Sequence, residues 1–422
     1  MKKTLKKIIP HWALSAYYFC VAIFAAFAFG FPSRNLIVIG VTGTKGKSST
    51  TEFVNAILEE AGLRTAVMNS IRFKLGDESK PNLLRMSMPG RFFIQRFLFR
   101  ALLRGCNAVV LEMTSEGARQ FRHRGIALDA LIFTNLAPEH IESHGSFEKY
   151  ADAKFELGKQ LARSRKKDRV MVANADDPQS ARYLALPVEK TVGFSLKGHA
   201  HRSSDRGGSF EFDGSTIAIH LPGDFSLQNA LAAAELAHAL GVATPIIKRG
   251  LEKVETIPGR AEEIDAGQDF TVVVDYAHTP DSLSALYDAY GARRKICVLG
   301  NTGGGRDTWK RPVMGRIASE RCDDVILTNE DPYDEDPRAI VDQMARGMKR
   351  KPTIIMDRRE AIREALRRAT TLRQAQGSRN ENIVVLISGK GTDPCICVEN
   401  GKKIPWSDAS VAREELLRMK RV

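Results

Sequence analysis

Leu36-Ile37-Val38-Ile39-Gly40-Val41-Thr42-Gly43-Thr44-Lys45-Gly46-Lys47-Ser48-Ser49-Thr50 is the stretch whose reading decides the fold. An apolar run passes into a glycine-rich turn and then into a helical pattern, with Phe53, Val54, Ile57, Leu58 and Ala61 on one face. A strand, a turn and a helix N-terminus in that order make a phosphate cradle, because backbone N–H groups and the helix dipole favour anionic oxygens there. Lys47 is placed to reach the terminal phosphates and Ser48 a Mg²⁺ ion, with Gly43, Thr44, Gly46 and Ser49 as further nucleotide contacts. The strict pattern G-x-x-x-x-G-K-[ST] is not met, since Val41 stands at its first Gly and Gly40 and Gly43 flank that position. The expected ligand is a nucleoside triphosphate.

The rest of the chain reads as α/β. A P-loop-type ATPase domain with a mainly parallel sheet is expected over 34–255, with strands near 36–41, 65–68, 108–113, 130–134 and 169–173. Asp213-Gly214 between two short apolar runs signals a hairpin, and an Ala-rich helix is expected over 227–240. Beyond Pro258-Gly259-Arg260 a second, Rossmann-like α/β domain (256–422) has strands near 270–274, 295–299, 324–328, 353–356 and 383–387. At 422 residues and 27% charged, the chain is long enough for full cores in both.

The net charge of +13 points to anionic partners, nucleic acid being the weakest because no aromatic-interleaved basic stripe is present. Six scattered cysteines without a C-x-x-C pair read as buried thiols in a reducing compartment. Lys2, Lys3, Lys6 and Lys7 precede an uncharged segment, 12–31, within a hydrophobic N-terminal region (1–33). Its length is about that of a bilayer span, and membrane association is expected of it. It fits an anchor or a helix lying in the cytoplasmic interface, and a helix buried against the protein is the alternative. Export would separate an ATP site from its ATP, so the active site is expected in the cytoplasm.

Ligands of open α/β sheets lie beyond the carboxyl ends of the strands. Glu112 ends one strand, followed by Thr114-Ser115-Glu116-Gly117; Thr134-Asn135 ends the next and leads to Glu139-His140. A carboxylate and an imidazole there suit Mg²⁺. In the second domain Asp275-Tyr276-Ala277-His278-Thr279-Pro280 ends a strand in the same way. The glycine-rich loop at 300–305, followed by Arg306, Lys310 and Arg311, looks anion-binding, and Gly389-Lys390-Gly391-Thr392-Asp393 closes the last strand.

These pieces, with Tyr150 to Lys154, Asn174-Ala175-Asp176-Asp177-Pro178, Asn229-Ala230-Leu231 and Lys310-Arg311-Pro312-x-Met314-Gly315, resemble the Mur ligase family in order over nearly the whole chain after Ser33. The Tyr-Ala-His-Thr-Pro and Lys-Arg-Pro-x-Met-Gly pieces look most like the muramoyl-tripeptide synthetase type. The resemblance implies an ATP-dependent, ADP-forming amide ligase that adds an amino acid to a muramoyl-peptide-like acceptor through an acyl phosphate. It implies Ser48 and Glu112 as ligands of one Mg²⁺, and His140 and a carbamoylated Lys154 as ligands of a second. Lys47 and His278 join them as catalytic groups, and Asn229, Arg260 and Asp275 as nucleotide contacts. It places the acceptor on Ser87, Thr114, Gln120 and Arg122, and the amino acid on Arg306, Asp331, Gly389 and Asp393. A polyglutamylating ligase of the same fold, or a membrane-tethered nucleotide-binding scaffold, is the alternative.

Three departures from the family pattern stand out. The N-terminal domain that grips the UDP end of the acceptor has no counterpart, and the hydrophobic segment takes its place. Glu330-Asp331-Pro332-Tyr333 replaces Asp-Asn-Pro-Arg, removing the guanidinium expected to pair the distal carboxylate of diaminopimelate. Glu116 replaces a His and Lys45 an Asn.

Overall fold

Strand β1 (Ile37–Thr42) lies in the interior of an eight-stranded sheet, paired in parallel with β5 (Ala108–Glu112) on one side and β6 (Ala130–Phe133) on the other. The sheet order is β4-β3-β2-β5-β1-β6-β7-β8, with β2 at Thr65–Met68, β3 at Arg72–Leu75, β4 at Glu78–Pro81, β7 at Val170–Asn174 and β8 at Lys190–Phe194. Its central strands are buried on both faces, so they read as continuous Val/Ile/Leu runs rather than alternating ones. The computed structural model describes residues 10–139, 141–305, 307–375 and 383–420.

The chain divides into two compact units. The first takes the residues up to His201 together with Phe210–Ala218 and Ser226–Val254; the second takes Arg202–Ser209, Ile219–Phe225 and the residues from Glu255 onward. The core of the first packs its sheet against the helices Arg91–Leu103 and Phe147–Ala162, with Phe133 stacked on Tyr183 at 4.2 Å. Each such large apolar side chain contributes about 1.5–3 kcal/mol on burial. The Ala-rich helix runs Asp224–Ala239, preceded by a three-stranded sheet of β9 (His201–Ser204), β10 (Gly207–Phe212) and β11 (Ser215–Ile219), whose last two strands flank the expected Asp213-Gly214 turn. The β3–β4 hairpin and β8 were not expected from the sequence pattern.

The second unit carries a six-stranded sheet, order β12-β13-β17-β14-β15-β16, with β12 at Glu262–Glu263, β13 at Thr271–Asp275, β14 at Arg294–Leu299, β15 at Asp324–Leu327, β16 at Thr353–Ile354 and β17 at Ile383–Ser388. Period-two alternation sends Val273, Cys297, Leu299 and Leu386 into one core and Val272, Val274, Ile296 and Ile387 into the other. Both faces are thereby covered, as a parallel sheet requires.

Two expectations are corrected. Among the described residues no helix is long and apolar enough to cross a membrane. The N-terminal helix His11–Ala28 has 18 residues, which is about 27 Å at 1.5 Å per residue and short of a ~30 Å hydrocarbon core. It packs on the first unit instead, burying Ala22, Ala25 and Ala26, with Phe24 against Phe92 and Phe29 against Phe99. Secondly, Cys297 and Cys322 are joined by a disulfide with Cα atoms 6.3 Å apart; a sequence separation of 25 hid that proximity from the sequence.

Candidate active site

β1 delivers the turn 43–46 directly to the helix Lys47–Glu60. Gly43 (φ +149°) and Gly46 (φ +81°) hold backbone conformations that L side chains avoid. A Cβ at Gly43 would collide with Thr134 Oγ1, and one at Gly46 with Asn229 Oδ1. The loop is therefore glycine because its walls leave no room. Thr44 is fixed by Tyr150 Oη at 3.0 Å and by the Ala137 backbone, while Lys45 pairs with Glu139 at 3.2 Å. Lys47 Nζ folds back onto the Thr44 carbonyl at 2.8 Å, and Ser49 is buried in the same first turn.

Behind the turn, Ser48 Oγ donates to Glu112 Oε2 at 2.8 Å. The same oxygen accepts from the Ser70 backbone N–H at 2.9 Å, and Glu112 Oε1 accepts from Ser87 Oγ at 2.8 Å. Burial pushes the Glu112 carboxyl up, but the Lys47 ammonium and these donors outweigh it and hold it below the ordinary carboxylate value. Glu112 is thus an ionised buried carboxylate with a hydroxyl beside it, a hard-oxygen donor set suited to Mg²⁺, which takes few protein ligands and keeps its own waters. Ser87, expected at the acceptor, is here a partner of Glu112.

Lys154 is 2% exposed, and its Nζ donates to the Gly43 carbonyl at 2.6 Å. Desolvation, then the neighbouring Lys47 ammonium, holds its pKa well below that of an ordinary lysine. An unmodified amine in this place is no metal ligand. His140 lies outside the described residues. Among those described, no group of three or more His, Cys, Asp or Glu is arranged to hold a metal.

Thr114 caps the helix Ser115–Arg119 by accepting from Gly117 N–H. Gln120 donates to Glu116 Oε1 at 2.5 Å, and Arg122 donates to Gln120 Oε1 at 2.8 Å and to the Met88 carbonyl. Glu116, which stands at the family's His, thus orders the two polar groups expected to hold the acceptor.

In the second unit, Asp275 ends β13 and accepts from the Ala261 and Ala277 N–H groups at 2.6 and 2.7 Å. The Arg260 guanidinium lies 4.7 Å over the Tyr276 ring, against which His278 packs edge-on. Arg260, Asp275 and His278 are therefore neighbours. Farther along the sheet, Lys390 Nζ donates to Asp331 Oδ1 at 2.9 Å and to the Cys395 carbonyl at 2.7 Å, with Asp393 at 3.5 Å. Gly389 (φ +109°) leaves no space for a Cβ because Glu330 Oε2 fills it. Asp331, Gly389 and Asp393 come together around Lys390. Arg306 lies outside the described residues. Arg311, read as anion-binding, is fully buried and engaged with Glu335 (2.6 and 2.9 Å) and Gln343 (2.9 Å), so no anion reaches it.

Sequence reasoning missed Ser70 and gave no individual role to Tyr150, Glu330 or Lys390, which stand within motifs it singled out. Ser70 lies just past the carboxyl end of β2, a signal the strand-end rule offered.

Residues 41–237 match the Mur ligase middle domain, and residues 259–391 match the Mur ligase glutamate ligase domain. The chain belongs to the Mur ligase family. It is 34% identical over 420 residues (95% of this chain, 82% of the relative) to UDP-N-acetylmuramoyl-L-alanyl-D-glutamate–2,6-diaminopimelate ligase of Syntrophomonas wolfei. To the UDP-N-acetylmuramyl-tripeptide synthetase of a Roseiflexus species it is 35% identical over 422 residues (94% and 82%). A solved diaminopimelate ligase superposes with TM-score 0.59 at 27% identity, covering 92% of this chain and 79% of that one. The fold is shared more widely: the ADP complex of Mycobacterium tuberculosis folylpolyglutamate synthase has TM-score 0.69 at 18% identity, over 88% and 92% of the two chains. In Mur ligase terms the turn 43–46 and the Ser48–Glu112 pair belong to the middle domain, and the Arg260 and Lys390 clusters to the glutamate ligase domain.

Proposed function

We propose that this Mur ligase joins an amino acid to a muramoyl-peptide-like acceptor in peptidoglycan precursor synthesis, in the cytoplasm, with cleavage of ATP to ADP. The observation that carries the reading is the ionised Glu112 bonded to Ser48 directly behind the glycine turn and Lys47. An acceptor carboxylate oxygen attacks the terminal phosphorus as the bond to ADP breaks. The amine of the amino acid then adds to the acyl carbon, loses a proton, and phosphate leaves. Negative charge builds on the transferring phosphoryl group, and Lys47 with the backbone N–H groups of the turn is placed to hold it. Mg²⁺ bound at Ser48 and Glu112 supplies charge neutralisation. Asn229, Arg260, Asp275 and His278 would engage the nucleotide and the acyl phosphate, and Thr114, Gln120 and Arg122 the acceptor.

Lys154 is proposed to act as its carbamate. Its depressed pKa supplies the neutral amine that can add to CO₂, forming an N–C bond and releasing a proton, and the product is an anionic oxygen donor. With His140 it would complete a second Mg²⁺ site. On the amino-acid side, Tyr333 stands where a guanidinium would pair a distal carboxylate, so lysine or another amine fits at least as well as diaminopimelate.

The test is to incubate the full chain with ATP, Mg²⁺, a UDP-linked muramoyl dipeptide and a pool of amino acids, following phosphate release and product mass. One phosphate per acceptor extended by one residue is expected. No ADP formed with any muramoyl peptide would overturn the proposal in favour of a nucleotide-binding scaffold, and extension of a folate instead would reassign the acceptor.

A further inference from the structure

The helix His11–Ala28 contains no Asp, Glu, Lys or Arg. Among its described side chains, only a narrow alanine stripe (Ala22, Ala25, Ala26) is buried. The opposite side faces solvent with Trp12 76%, Tyr17 60%, Phe24 60% and Phe27 70% exposed. Beside it, the helix Arg91–Leu103 leaves Phe92, Phe99 and Leu103 exposed, and the Phe24–Phe92 and Phe29–Phe99 contacts make the two helices one continuous face. Scattered exposed apolar residues need no explanation, but a contiguous aromatic face two helices wide does.

We propose that this face docks flat on a bilayer surface bearing anionic lipid. Its rim is basic: Arg96 and Arg100 are exposed one turn apart on the second helix. Aromatic side chains on a helix too short to span and already laid along its own protein, with arginines on the helix beside it, match the headgroup boundary rather than the bilayer interior. Seating the face on a second copy would bring two sets of Arg96 and Arg100 into one apolar seam, on a chain carrying +13. An anionic surface instead gains from every one of those cations. The face reaches the polar turn that follows it in the fold: Tyr18 lies under the Arg91 guanidinium at 4.2 Å, Arg91 donates to the Gln120 carbonyl, and Phe19 packs edge-on against Phe121. Docking would hold the Gln120–Arg122 region close to the lipid surface. The inference does not depend on the ligase reading, because docking is read without turnover.

The experiment is co-sedimentation of the full chain with phosphatidylcholine vesicles, with and without phosphatidylglycerol. Binding to the anionic vesicles at least about tenfold stronger than to neutral ones, and weakened by salt, is expected. The double variant Phe24→Glu/Phe27→Glu alters only exposed positions and should keep the wild-type melting temperature while losing binding by about tenfold or more. Arg96→Glu/Arg100→Glu should weaken binding to anionic vesicles only. Absence of binding to anionic vesicles, or binding unchanged in the phenylalanine variant, would overturn the proposal. So would a wild-type dimer that the phenylalanine variant splits, which would assign the face to a second copy.

Discussion

Two glycine-rich loops follow strands in this molecule, 43–46 after β1 and 300–305 after β14, and as sequence they look alike. Their surroundings differ. In the first loop, Gly43 and Gly46 are walled in by Thr134 and Asn229, and the helix that opens next brings Lys47 and Ser48 straight to the turn. In the second, Gly300 and Gly303 are also walled in, by Glu330 and the Pro332 carbonyl, while Gly304 and Gly305 have room for a Cβ; the difference is that the following helix, Lys310–Arg321, starts too late to lend its N-terminus to the glycines. Its Arg311 is already committed to Glu335. A glycine run after a strand does not by itself make an anion site; the helix N-terminus and the cation that follow it decide.

The sharpest way to break that comparison is to remove the two lysines that bond to the first loop. Lys47→Ala should lower phosphate release by about 10³-fold, on the scale of losing a charge-stabilising group at a transferring phosphoryl. Lys154→Ala should be as severe, with partial recovery in added bicarbonate or short carboxylic acids if a carbamate is what the site uses. Steady-state phosphate release with and without those acids is the measurement, and full activity in either variant would put the cradle elsewhere.

The complementary variant lies in the second loop. Arg311→Ala should leave the nucleotide Kd unchanged while costing about 3 kcal/mol of stability, the low end for breaking a buried pair because Glu335 keeps some water. Titration calorimetry with a non-hydrolysable nucleotide, together with denaturant melts, separates the two readouts. A large loss of affinity in a stably folded variant would restore Arg311 as an anion ligand.

How much of this was legible in the sequence follows from the same contrast. The first cluster was legible because its residues are nearly contiguous: turn, Lys47 and Ser48 sit together, and Glu112 ends a strongly apolar strand. Ser70 was not readable, because its meeting with Glu112 depends on β2 lying next to β5, an order that no local pattern encodes. The β3–β4 hairpin was lost among short, mixed residues, although Arg72-Phe73-Lys74-Leu75 alternates and Gly76-Asp77 forms its turn. As a membrane span, the N-terminal segment misled for a physical reason. Bilayer and protein interior both favour removal of apolar surface from water, so composition alone does not separate them. Arg311 misled because a guanidinium after a glycine loop reads the same whether its partner is a ligand or a glutamate 24 residues away.

The smallest effect concerns two buried glutamates, one beside each loop, whose pKa values move in opposite directions. Glu112 is held down because Lys47, Ser48, Ser70 and Ser87 all face it. For Glu330 burial dominates and its carboxyl is raised, although Arg358 and Lys390 lie nearby. Those cations are spent, Arg358 on Asp408 at 2.7 and 2.8 Å and Lys390 on Asp331, while Glu330 Oε2 has no hydrogen-bond partner among the described residues. The signs then separate. A lowered carboxyl contributes stability above the ordinary value of 4.5 and loses it as pH falls through its folded pKa. A raised one costs stability as pH climbs from 4.5 through its higher folded value. Glu112→Gln should therefore destabilise the protein by about 1–3 kcal/mol at neutral pH and progressively less on acidification. Glu330→Gln should match wild type in acid and exceed it by about 1 kcal/mol at neutral pH, since an unsatisfied buried charge is removed. Melting temperatures of both variants against wild type across that range should diverge with opposite slopes. Parallel slopes would mean that the cations around Glu330 are less fully committed than their hydrogen bonds indicate.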